Sequence, residues 1–206
     1  MKTSTHASAK QPLLFLMMAC MMIGSMALSF SCKKEEKAAS PQLKAEAGEQ
    51  GYQFKVTVKD MVFNWRQAGN TLQVMVRAKT NGWVGVGFNA TEGMKDAWFI
   101  MGTVKDGAAA IIEQHGNTPR THLKKADLGG TDSVSNASGS GKDNQTEIRF
   151  IIPLKPADLD KPINPAGDTP VLLAYGSTRQ MAQLHAFRAK LMINLSAGTY
   201  SILTVK

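Results

Sequence analysis

Two side chains in this 206-residue sequence have the chemistry to act together on a metal centre. One is the thioether of Met94, in the loop NATEGMKDA; the other is the imidazole of His185, in RQMAQLHAFRAK. Met94 stands in a loop, whereas Met75 and Met101 lie within alternating apolar runs, as methionines placed for packing do. Methionine is also a common gap-filler, and a lone histidine beside apolar residues is usually structural, so spacing leaves the pair open. Other chemistries find little support. The sequence has no GxSxG elbow, no HExxH and no GxxxxGK[ST] loop. His115, His122 and His185 form no HxH or HxxxH pair, so a three-histidine zinc site has no spacing behind it.

The elements that must position these residues are short strands. YQFKVTV places Tyr52, Phe54, Val56 and Val58 on one face, and MVFNW groups Met61, Phe63 and Trp65. LQVMVRA groups Leu72, Val74, Val76 and Ala78, and Asn81-Gly82 is a turn signal. Gly82 to Phe88, Ala97 to Val104 and, after the Asp106-Gly107 turn, Ala108 to Gln114 are expected as strands. Leu128 to Gln145, rich in Gly, Ser, Asp and Asn, is expected to be a disordered loop, with a lid as the alternative. TEIRFIIPL resumes the alternation through Ile148, Phe150 and Ile152, and KPADLDKPINPAGDTP is too rich in proline for a central strand. VLLAYG is a buried type of strand, Met181 to Leu195 reads either as a short helix or as an irregular strand, and TYSILTV closes the chain. The pattern predicts an all-β, antiparallel, immunoglobulin-like β-sandwich over residues 51–206.

Ahead of it lies a leader. Lys2 and Lys10 precede the apolar run Leu13 to Phe30, as in a secretory signal. The run is also long enough to serve as an uncleaved membrane anchor. LSFSC resembles a bacterial lipobox, so residues 1–31 are expected to be a signal peptide and Cys32 the lipidated first residue. Residues 32–50, charged and poor in large apolar groups, are expected to be a flexible tether. Cleavage removes Cys20 and leaves Cys32 as the sole cysteine, which excludes a disulfide. The net charge of +8 comes from scattered lysines with no interleaved aromatics, which points away from nucleic acid and leaves an acidic partner or anionic lipid open.

The block GWVGVGFNATEGMKDAWFIMG, the strand LLAYG and the late His185 together resemble DOMON domains, in particular the haem-binding branch typified by the cellobiose dehydrogenase cytochrome. The resemblance spans about Tyr52 to Leu195. It implies that Met94 and His185 are the axial ligands of one haem. The absence of CxxCH leaves a non-covalent b-type haem. Trp83, Phe88, Trp98 and Tyr175, with Phe187, are expected as walls of its slot, and Gly85 and Gly87 as the positions that let a flat ligand approach. Arg120, Arg179 or Arg188 would neutralise a propionate. The function implied is a lipid-anchored electron carrier of the cell envelope, outer membrane preferred, serving a redox partner protein and having no catalytic set of its own. The alternative is a haem-free module that binds carbohydrate or another small ligand, with Trp83, Trp98 and Tyr175 as stacking platforms; a small sensor or structural lipoprotein is the third reading.

Overall fold

The computed structural model describes residues 40–206; the leader and Cys32 lie outside the described residues. The strands run β1 Leu43–Lys44, β2 Glu46–Ala47, β3 Phe54–Val58, β4 Met61–Ala68, β5 Thr71–Ala78, β6 Val84–Phe88 and β7 Trp98–Lys105. They continue as β8 Ala108–His115, β9 Leu123–Lys124, β10 Ser135–Lys142, β11 Gln145–Pro153, β12 Asp168–Tyr175, β13 Phe187–Asn194 and β14 Thr199–Val205. All pairings are antiparallel. One sheet has eight strands in the order β1-β14-β13-β12-β6-β7-β8-β9, and the other has six in the order β10-β11-β5-β4-β3-β2. Among the described residues no helix is long and apolar enough to cross a membrane.

Alternation builds the core between the sheets. Met61, Phe63 and Trp65 of β4 and Leu72, Val74 and Val76 of β5 are fully buried, as are Val84, Val86 and Phe88 of β6. They meet Trp98, Ile100, Ile148, Phe150, Val171 and Leu173 in one cluster. Trp65 stacks on Phe63 with ring centroids 5.0 Å apart, and its indole N–H donates to the Leu195 carbonyl at 2.8 Å, so the ring is buried with its polar edge satisfied. The Asp106-Gly107 hairpin has positive φ at both residues, the conformation a tight two-residue turn requires.

Four expectations change. Strand pairing begins inside the segment expected to be a tether: Leu43–Lys44 pairs with β14 and Glu46–Ala47 with β3. The expected loop from Leu128 to Gln145 contains the full-length strand β10, which joins β11 through an Asp143-Asn144 turn with positive φ at both residues. Its composition hid it, because β10 is an edge strand that is exposed along most of its length and needs no apolar face. Gly139 and Gly141 let it lie close over Val104, where a Cβ on Gly139 would stand 3.0 Å from the valine methyl. The ambiguous stretch after Met181 is turn up to Ala186 and then a regular strand, β13. Asn81-Gly82 bends the chain from one sheet to the other and does not close a hairpin. Gly82 packs on the Gly176 carbonyl, which a Cβ would approach to 2.1 Å.

Replacing Trp65 by Ala is expected to cost about 3–5 kcal/mol of stability. Trp65→Phe, which leaves the Leu195 carbonyl without its donor, should cost roughly 1–3 kcal/mol. Urea unfolding followed by circular dichroism measures both.

Candidate functional site

The outer face of the eight-stranded sheet carries the site. On β6 the inward residues are Val84, Val86 and Phe88, so Gly85 and Gly87 face outward. The space they leave is taken by side chains of β7: a Cβ on Gly87 would lie 2.5 Å from the Phe99 ring, and one on Gly85 3.0 Å from Met101. Phe99 and Met101 form a second apolar cluster with Trp83, Ala90 and Ala97, and Met94, Ile112, Leu172, Ala174 and Met181 pack against it.

Beside this cluster lies a cavity of about 470 Å³. Leu172 and Ala174 of β12 contribute its apolar floor. Gly93 and Met94 from the β6–β7 loop, Pro119 and Arg120 from the β8–β9 loop, and Leu184 and His185 from the β12–β13 loop line it as well. Arg188 and Lys190 of β13 and Lys206 add a basic border, and Thr204 of β14 lines the cavity beside them. Met94 and His185, ninety-one positions apart, thus open on the same space.

Backbone contacts fix the Met94 loop. The Met94 N–H donates to the Pro119 carbonyl at 3.0 Å, and the Ala97 N–H donates to the Met94 carbonyl at 3.1 Å. The Asp96 N–H donates to Gly116 at 2.7 Å, and Gly116 returns a bond to Ala97 at 2.9 Å. Gly93 has a φ of +57°, and a Cβ on Gly116 would stand 1.7 Å from the Met94 carbonyl oxygen, so glycine is required at both positions. Asp96 anchors the loop sideways, accepting from Thr91 at 2.9 Å and pairing with Lys161 at 3.0 Å. The Lys161 and Thr91 bonds hold its carboxyl below the usual range.

His185 is partly buried, and its Nε2 lies 3.4 Å from Arg188 Nη1. Guanidinium only donates, so Nε2 presents a lone pair and the ring is neutral in this arrangement. Burial first, and then the Arg188 charge, lower its pKa below that of an ordinary histidine. His122 shares this face. Its ring lies 4.9 Å from that of Phe99, its Nδ1 meets Gln114 Oε1, and burial first, then competition with nearby His185 for a proton, lowers its pKa. His115 lies elsewhere, paired with Asp160. No group of three or more His, Cys, Asp or Glu suited to a metal ion occurs among the described residues.

The aromatic residues expected around the site divide by strand parity. Trp83 lies on the outer face, in the cluster beside the cavity. Phe88 and Trp98 do not; both are fully buried between the sheets. Tyr175 also packs towards the interior, stacked on Phe187 at 5.3 Å. The reason is geometric: outward glycines at 85 and 87 force Phe88 inward, and Phe88 pairs with Trp98 across the ladder. Of the three arginines, Arg120 and Arg188 line the cavity, while Arg179 donates to the Val104 carbonyl. Sequence reading missed Leu172, Ala174 and Lys190, yet each lies between core residues of β12 or β13 and so has to point outward.

Comparison with known proteins bears on this architecture. A solved structure, the cytochrome b domain of pyranose dehydrogenase from Coprinopsis cinerea, superposes with a TM-score of 0.53 at 12% identity, covering 74% of this chain and 86% of that one. Comparison with curated proteins finds no match. The family model for the DOMON domain matches residues 57–176, a span that contains Met94 and ends before His185. With more than half of its length matched to that model and a two-sheet antiparallel fold to accompany it, the chain belongs to the DOMON domain family.

Proposed function

We propose that the outer-face cavity holds one non-covalent b-type haem between Met94 and His185, and that the domain carries electrons. The observation that carries this reading is the opening of both side chains on one cavity with an apolar floor and a basic border. The donor set fits the group. A thioether and a neutral imidazole are an established axial pair for haem iron. Apolar Leu172 and Ala174 suit the ring, and Arg120, Arg188, Lys190 and Lys206 offer cations to its carboxylates. A bound haem supplies a one-electron iron couple, which methionine ligation biases towards the reduced form.

The roles of the chain's own residues follow. The β6–β7 loop presents the Met94 sulfur with little freedom, because its backbone is bonded on both sides of that residue. Burial and Arg188 keep His185 unprotonated, the state a ligand requires. Met94 through its sulfur and His185 through an imidazole nitrogen would hold the haem iron, and the group so held would supply one-electron transfer. The carbohydrate reading loses its platforms, since Trp98 and Trp83 are buried and Tyr175 stacks on Phe187.

The cellular setting belongs to the same proposal. Cys32 carries lipid, the residues between it and Leu43 tether the domain, and the protein works in the cell envelope, at the outer membrane by preference, with a redox partner protein.

Residues 40–206, produced with haem, are expected to show sharp low-spin visible bands on dithionite reduction. Met94→Ala and His185→Ala should each abolish that signature, and unchanged bands in both variants would refute the ligand assignment. Gly116→Ala should weaken haem binding at least tenfold, because its new Cβ displaces the Met94 carbonyl; haem titration reads this. Acid should release His185. Its folded pKa lies below the ordinary value of about 6.5, so ligation holds at neutral pH and is lost as pH falls below that value. Arg188→Gln removes a lowering charge and should move the loss to higher pH in a spectroscopic titration.

A further inference from the structure

A buried ionic cluster beside β9 takes no part in the haem reading. The side chain of Lys125, which opens a short 3-10 turn, is fully buried. Its Nζ lies 2.9 Å from Asp160 Oδ2 and 3.3 Å from Glu113 Oε2. Asp160 is as inaccessible as Lys125, with 0% of its side chain exposed, and Glu113 has 1%. The Trp98 ring centroid lies 5.3 Å from the ammonium, and the indole N–H donates to Glu113 Oε2 at 2.8 Å. Glu113 Oε1 accepts the backbone N–H groups of Ser133 and Val134. His115 Nδ1 stands 2.9 Å from Asp160 Oδ1. A carboxylate oxygen accepts, so Nδ1 carries the proton and donates.

We propose that Lys125 and Asp160 are joined by an intramolecular isopeptide bond that the fold itself forms. Lys125 is the nucleophile and Asp160 the electrophile. Glu113 takes a proton from the ammonium, freeing the amine. The amine attacks the Asp160 carboxyl carbon, with Oδ1 held by the His115 N–H. The new N–C bond replaces the C–Oδ2 bond, and Oδ2 leaves as water with two protons from the nitrogen, at least one of them handed on by Glu113. Ammonium and carboxylate become amide and water, so atoms and charge balance without any further reagent, and Glu113 and His115 end as they began.

Three features favour the step here. The reacting groups are held in contact, which removes the entropic cost of bringing them together. They are shut away from water, where burying an ammonium and a carboxylate costs more than burying a neutral amide. Glu113 keeps three N–H donors of its own, so it stays satisfied when the ammonium is consumed. Asp158 is the poorer electrophile: it lies 3.4 Å from Nζ, is 29% exposed and is held by Thr131 through both the backbone N–H and the hydroxyl. The bond would tie the 3-10 turn to the loop that carries Lys161, whose ammonium pairs with Asp96 beside Met94. It would give a covalent staple to a fold in which no described residue is a cysteine.

The test is mass spectrometry of the folded full chain after trypsin digestion. Lys125 in amide linkage resists trypsin, as do the Lys155-Pro156 and Lys161-Pro162 bonds. The expected product therefore joins residues 125–142 to residues 150–179 at one water mass below their sum. Separate peptides with cleavage after Lys125 would overturn the proposal, and so would water loss within one peptide. Glu113→Gln, checked for folding by circular dichroism, should yield the separate peptides; a full yield of the joined product would overturn the role given to Glu113. Neither readout depends on haem, so the two proposals stand or fall apart.

Discussion

Successive side chains of a strand point to opposite faces, and in the eight-stranded sheet each residue given to the cavity therefore fixes a neighbour in the core. β6, β12 and β13 show the rule. Val86, Leu173 and Ala189 face the interior, while Gly87, Leu172 and Arg188 face the other way. The core needs an unbroken apolar set on one parity, and a run of glycines is tolerable only on the other. Because the inward set is complete, the outward set is free to be small on β6, apolar on β12 and cationic on β13. The site is a by-product of register: a slip of one residue would bury Arg188 and Lys190 and expose Phe187 and Leu191.

Above the sheet, the position of Met94 depends on close backbone packing between two loops. The β6–β7 and β8–β9 loops exchange main-chain bonds through Met94, Asp96, Ala97, Gly116 and Pro119. Both glycines in this exchange, Gly93 and Gly116, sit where a Cβ would collide with a carbonyl oxygen. The sulfur is therefore presented from a braced loop, so little conformational freedom remains to be lost on ligand binding. His185 differs. Its neighbour Leu184 is 82% exposed, and the segment from Ser177 to Ala186 contains only turns and bends. There the main-chain bonds flank the histidine: the Gln183 N–H donates to the Gln180 carbonyl at 2.9 Å and the Ala186 N–H to the Tyr175 carbonyl at 2.8 Å.

The strands with a clear apolar period were legible because each needs a hydrophobic face: Met61–Trp65, Leu72–Ala78 and Ile148–Ile152 all enter the core as their alternation requires. The edge strand β10 was not legible, since Ser and Gly on an exposed edge look like linker. The bringing together of Met94 and His185 could not be deduced from spacing, which carries no information on which loops meet across a sheet; the resemblance supplied it. Phe88, Trp98 and Tyr175 were assigned to the slot by residue type, although their parity argued otherwise: Phe88 shares its face with Val84 and Val86, and Trp98 with Ile100. The ionic cluster was also out of reach, because Glu113, Lys125 and Asp160 are brought together only by the packing of β8 against two loops.

Placing the cavity outside the sandwich separates stability from binding. A ligand lodged between the sheets would replace core side chains such as Phe88 and Trp98, and every change in ligand would then demand a repacked core. On the outer face a ligand would rest on Leu172 and Ala174 beside residues of three loops, so the cavity can change while the fully buried residues of β4 and β5 stay as they are. The same scaffold can then serve unrelated ligands, with specificity residing in a few loop residues. On that argument the residues that line the cavity, Met94 and His185 among them, can vary independently of the alternating core of the two sheets.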